Sequence, residues 1–215
     1  MNTIKGEVFK LTEQNKTVPG CTISELINKG KNNIFTFALA QDTDISAEIF
    51  PYKKFIIVNQ GKLKIEENGK VKELNEFESF LSSVNSLVGF STNCDTIYTE
   101  IEISEDDFMN KQINAGEVFK LENLVPYQEG KIVNMDVMHN DQMKFVVMSF
   151  DEGLALSEHA APGEALIFAL DGEAIIGYEG KEYTLKKGEN FSFAKGGLHS
   201  VKAVSKFKMA LIIAL

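Results

Sequence analysis

An all-β chain made of two tandem copies of one barrel-sized unit is the fold class this sequence predicts, and three observations predict it. The first is a repeat. Gly6-Glu7-Val8-Phe9-Lys10-Leu11 returns unchanged as Gly116-Glu117-Val118-Phe119-Lys120-Leu121. With one residue gained, the same register matches Pro51 to Pro162, Gly61 to Gly172, Gly69-Lys70 to Gly180-Lys181, Leu74 to Leu185 and Phe80 to Phe191. Self-similarity along the whole chain is the signature of a duplicated unit. The second observation is a period of two: Leu63 and Ile65 alternate with Lys62, Lys64 and Glu66, the pattern of a strand with one buried face. The third is turn chemistry, because Asn68-Gly69 supplies the left-handed pair of a tight hairpin and Glu179-Gly180 stands at its repeat position.

The remaining elements follow from local pattern. Segments 144–150 and 207–215 are short apolar runs suited to strands buried on both faces. Helix signals are few. Thr22-x-x-Glu25 resembles a capping box ahead of Leu26 and Ile27, and Ser104-Glu105-Asp106-Asp107 looks like a second helix start. The expected division is a barrel over 1–103, a linker over 104–114 and a second barrel over 115–215.

Composition bounds the function. Hydrophobic residues make up 44% and charged residues 25%, an ordinary globular balance. The net charge of −9 disfavours nucleic acid as a partner. The first residues lack an apolar signal region, and the terminal apolar run is far shorter than the ~20 residues that span a bilayer. The expected location is the cytoplasm, where Cys21 and Cys94, without ligand spacing, stay reduced. Sheet edges of two small barrels predict a homodimer.

The C-terminal half carries Gly153, Ser157-Glu158-His159, Pro162-Gly163-Glu164 and Gly172, followed by Gly188, Ala194, Gly196 and His199. These resemble the two motifs of the cupin superfamily: His-x-His, a glutamate three or four residues on and a glycine after six more, then a second motif ending in histidine. Ser157 stands in place of the first histidine and Ala194 in place of a proline. The phrasing is similar to a bacterial branch of two-domain cupins, or bicupins, of largely unassigned function. The resemblance implies two tandem double-stranded β-helix (jelly-roll, RmlC-like) barrels, the first degenerate.

The resemblance also implies a site. His159, Glu164 and His199 would converge inside the C-terminal barrel as ligands for a divalent metal ion, Fe, Mn or Zn. Ser157, two residues before His159, would share its strand face. Phe168 and Phe193 would line the pocket, Lys195 is the one basic group beside it, and Glu158 points outward. His139, in a polar turn, carries no role. In the N-terminal half Glu48, Lys53 and Val88 fall at the ligand positions, which makes that barrel metal-free and pairs Glu48 with Lys53. The function expected is therefore binding of a small molecule with a divalent metal. Metal-dependent dioxygenase or isomerase chemistry, or a metal-free binding or sensor module, are the alternatives, and whether the chain is an enzyme stays open.

Overall fold

The computed structural model describes residues 1–215 and consists of antiparallel sheets with two short helical turns, Leu11–Gln14 and Leu121–Asn123. The chain divides into two compact units. One, here the C-terminal barrel, comprises Met1–Lys10, Phe108–Asn110 and Leu121–Leu215; the other, the N-terminal barrel, comprises Leu11–Asp107 and Lys111–Lys120. No helix is long and apolar enough to cross a membrane.

The C-terminal barrel pairs a seven-stranded sheet with a four-stranded one. The large sheet runs Val8–Phe9, Asn190–Phe193, Glu164–Asp171, Phe207–Ala214, Met143–Phe150, Ile132–His139 and Phe108–Met109 in spatial order; the small sheet runs Ala155–Ala160, Leu198–Ala203, Glu173–Tyr178 and Lys181–Lys186. Ala165, Ile167, Ala174, Ile176, Phe191, Phe193, Val201 and Met209 meet between them. The N-terminal barrel repeats this plan with six and four strands around Ile56, Val58, Leu63, Ile65, Phe80, Val88, Phe90 and Tyr98. Both expected hairpins form, Asn68 with φ 50° before Gly69 with φ 78°, and Glu179 with φ 48° before Gly180 with φ 75°.

The repeated hexapeptide has a structural reason. In the C-terminal barrel Gly6 N–H donates to Ser192 O and Val8 pairs with Phe191. In the N-terminal barrel Gly116 N–H donates to Leu81 O and Val118 pairs with Phe80. Each copy adds an edge strand at the same register position. The division thus departs from the expected 1–103 and 115–215: Met1–Lys10 and Phe108–Asn110 group with the C-terminal barrel, and Lys111–Lys120 with the N-terminal one.

Both helix expectations give way to strands and turns. Thr22–Asn28 is an edge strand paired with Ile34–Leu39. A four-residue capping signal cannot outweigh a full ladder. At Ser104 only half of a capping box forms: Ser104 N–H donates to Asp107 Oδ2 at 3.0 Å, while Asp107 N–H donates to the Ser104 backbone carbonyl at 3.2 Å, the bond of a turn. The chain then enters the strand Phe108–Met109 rather than a helix.

Candidate functional site

The two histidines of the C-terminal barrel are brought together by a bulge. Strand Ala155–Ala160 pairs with Leu198–Ala203 in the register Leu156 to Val201, then slips so that His159 faces His199. The extra residue keeps His159 on the side of Leu156 and Val201, which pack into the core. The imidazole ring centroids lie 4.2 Å apart. His199 also stacks on Phe193 at 4.1 Å, and Tyr178 lies 5.4 Å from Phe193. His199 is buried at 7% exposure, whereas His159 is exposed.

Hydrogen bonding fixes the ring tautomers. His159 Nδ1 lies 2.9 Å from Ser157 O and His199 Nδ1 lies 3.3 Å from Gly197 O. A carbonyl oxygen can only accept, so each Nδ1 carries the proton and each neutral ring keeps a lone pair on Nε2. Burial holds the His199 pKa below the usual imidazole value, opposed by hydrogen bonds to the backbone of Gly197 and of His159 and reinforced by the charge of His159. Ser157 contributes its backbone carbonyl to this arrangement. Ser157 itself is exposed, within the bulge that follows Leu156.

Glu164 does not join the histidines. Ala165, Ile167 and Ala169 of its strand enter the barrel core. Alternation therefore sends Glu164 to the opposite face of the sheet, where its carboxylate pairs with Lys5 Nζ and the Met1 amino group. Phe168 shares that parity; it is 4% exposed but lies outside the barrel core, so of the two expected pocket phenylalanines only Phe193 touches the histidines. Nowhere in the chain do three or more His, Cys, Asp or Glu side chains form a group able to hold a metal ion. Lys195 and Glu158 are exposed, and His139 is an exposed strand end stacked on Phe108 at 4.4 Å. Both cysteines are free.

The N-terminal barrel has the same bulge, with Ile45 opposite Phe90 and Glu48 opposite Val88. Lys53 does not pair with Glu48. The inward lysine is Lys54, 5% exposed, whose Nζ lies 2.5 Å from Glu100 Oε1 and 3.8 Å from the Phe50 ring centroid. Glu100 Oε2 has no hydrogen-bond partner, and burial raises the Glu100 pKa against the lowering effect of Lys54.

A family profile described as "Cupin domain" matches residues 146–214, the segment that holds both histidine strands. Over the whole chain, the structure resembles a Cupin 2 conserved barrel domain protein from Leptotrichia buccalis, with a TM-score of 0.87, 25% identity and coverage of 100% of this chain and 99% of that one. Residues 146–214 form a cupin domain, and the chain as a whole has the cupin barrel fold. More distant cupin-fold structures show the fold alone. The protein Ylba from E. coli has TM-score 0.60 and 14% identity, covering 100% of this chain and 94% of that one. Salicylate 1,2-dioxygenase from Pseudoaminobacter salicylatoxidans has TM-score 0.65 and 11% identity, covering 97% and 81%. No curated protein matches the sequence.

In the C-terminal barrel the cupin spacing explains why Glu164 does not join the two histidines. The motif places six residues between its glutamate and the closing glycine. Counting back from Gly172, that position is Ala165, which faces inward; Glu164 lies one residue further and faces out. An odd step on a strand reverses the face. The donors that remain are two imidazoles, a carbonyl already engaged by His159, and no carboxylate. A divalent ion of the kind cupins hold wants at least three charged or imidazole ligands, so the residues present do not fit it. The same one-residue shift accounts for Lys53 and Lys54, and counting from Gly61 and Gly172 rather than from the histidine would have found both inward positions.

Proposed function

We propose that this bicupin is a small-molecule-binding module whose ligand sits at the mouth of the C-terminal barrel, held by the Nε2 lone pairs of His159 and His199. Two imidazoles side by side suit a ligand that presents a hydroxyl or amine hydrogen. Phe193, stacked on His199, and Tyr178 beside it suit an apolar body on the same molecule. The observation that carries the reading is the pair of Nδ1-to-carbonyl hydrogen bonds, which directs the lone pair of each ring, when neutral, to Nε2. A metal-dependent dioxygenase or isomerase would need a third donor, and Ala165 holds the position from which it would come.

Metal analysis after dialysis, on wild type and His199→Ala, tests the reading. Equal, substoichiometric content in both is expected; one equivalent in wild type that the variant loses would establish the metal enzyme instead. A homodimer in the cytoplasm belongs to the same proposal. Its support is the edge strand Thr22–Asn28, which leaves Ile23 and Leu26 exposed and available to a second copy. Sedimentation as a monomer at micromolar concentration would remove it.

A further inference from the structure

The two barrels differ where a tyrosine pair in one is replaced in the other. In the C-terminal barrel Tyr178 and Tyr183 close over Phe191, with ring centroids 5.8 Å and 5.2 Å away. Tyr178 Oη accepts a hydrogen bond from Ala194 N–H, and the Gly6 backbone lies so near that an added Cβ would stand 2.9 Å from Tyr178 Cε1. The repeat places Phe80 at the position of Phe191, Glu67 at Tyr178, Lys72 at Tyr183, Ser83 at Ala194 and Gly116 at Gly6. The backbone plan is kept: Ser83 N–H donates to Glu67 Oε1 at 2.6 Å, as Ala194 N–H does to Tyr178. Both rings are gone. A cavity of about 360 Å³ lies there, lined by Glu67, Lys70, Lys72, Phe80, Ser83 and Gly116 among others.

We infer that this cavity is a second ligand site, independent of the histidine pair, and that it takes a monocyclic aromatic carboxylate. The volume falls within the range of small-molecule sites. Phe80 forms the floor of the cavity at the position where the twin barrel packs two phenol rings against Phe191, so the space suits one aromatic ring. Charge selects the substituent. Glu67 is committed to the turn through Ser83 N–H and Ser86 Oγ, the latter at 2.8 Å. Lys70 and Lys72 have no side-chain partner, which leaves two ammonium groups on the rim for an anion.

Titration of the full-length protein with benzoate, followed by calorimetry and by the amide resonances of Ser83 and Gly116, tests the inference, with benzamide as the uncharged control. Saturable benzoate binding is expected, at least about tenfold tighter than benzamide. Lys70→Gln and Lys72→Gln each weaken it about fivefold, the size of one partly exposed charge pair. Lys72→Tyr rebuilds the ring of the twin barrel and abolishes it, while His199→Ala leaves it unchanged. Absence of saturable benzoate binding, equal binding of benzamide, binding that survives Lys72→Tyr, or loss of binding in His199→Ala each overturns the proposal.

Discussion

Lys54 in the N-terminal barrel and Ala165 in the C-terminal barrel hold the same inward position: Ile56 and Val58 follow Lys54 into one core as Ile167 and Ala169 follow Ala165 into the other. One barrel has filled the position with a charge and answered it with Glu100. The other has filled it with a methyl group.

The buried pair should be costly to break and cheaper to remove whole. Lys54→Met leaves the Glu100 carboxylate without its cation, with Oε2 already unpartnered, and the expected loss is about 3–5 kcal/mol at neutral pH. The Glu100 pKa is already raised by burial and loses the opposing influence of Lys54 in the variant. Glu100 then protonates readily on folding, so the deficit should shrink as pH falls from about 8 to about 5. Lys54→Met combined with Glu100→Leu should recover most of the loss. Urea denaturation of the two variants measures this, and a double variant no more stable than Lys54→Met would contradict it.

Restoring the missing carboxylate should create what the family motif describes. Ala165 pairs with Phe193, and Phe193 stacks on His199, so Ala165→Glu brings a carboxylate to the same face as the two free Nε2 atoms. Overpacking costs about 1–3 kcal/mol. Zinc or manganese should raise the melting temperature of Ala165→Glu and leave wild type nearly unchanged, and adding His199→Ala to the variant should cancel the effect. Equal metal-induced shifts in wild type and Ala165→Glu would show that the position does not reach the histidines.

The duplication, the hairpins and the histidine partnership were legible because each depends on residue identity at a fixed spacing. Face assignment was not. A bulge changes parity without any residue announcing it, as at Leu156 to His159 and again at Ile45 to Glu48, and a motif counted from one end only puts Glu164 and Lys53 on the wrong side of their strands. The edge strands of Gly6 and Gly116 were visible as a repeat, yet which barrel each joins depends on long-range pairing that no local pattern encodes. The place of Tyr178 is not encoded locally for a related reason: it rests on neighbours far away in sequence, Gly6, Phe191 and Ala194.

The two repeat glycines separate backbone strain from crowding. Gly6 and Gly116 have φ of 75° and 80°, a conformation that costs a residue with a Cβ about 1–2 kcal/mol. A Cβ at Gly6 would also stand 2.9 Å from the Tyr178 ring, whereas at Gly116 the nearest atom is Glu67 Oε2 at 3.6 Å. Gly6→Ala should therefore destabilise its barrel more than Gly116→Ala destabilises the other, and hydrogen exchange of the Gly6-to-Ser192 bond should accelerate only in the first. Equal effects would mean that Tyr178 moves aside freely.

Stability should depend on pH through His199. Its folded-state pKa is lowered, first by burial and then by the charge of His159, so the unfolded chain takes up a proton before the folded one does. The contribution of the neutral ring is fully present above the unfolded value of ~6.5 and is lost as pH falls below it towards the folded value. His199→Gln keeps a polar, uncharged side chain at the position and removes that titration. The variant should lose packing against Phe193 at every pH, yet its stability should fall less than that of wild type between about pH 7.5 and about pH 5.5. Proton NMR of the wild-type ring should locate its titration below the ~6.5 of a free imidazole. If wild type and His199→Gln lose stability in parallel on acidification, or if the His199 ring titrates above the ~6.5 of a free imidazole, then the buried imidazole is not held neutral, and its Nε2 is not an acceptor near neutral pH.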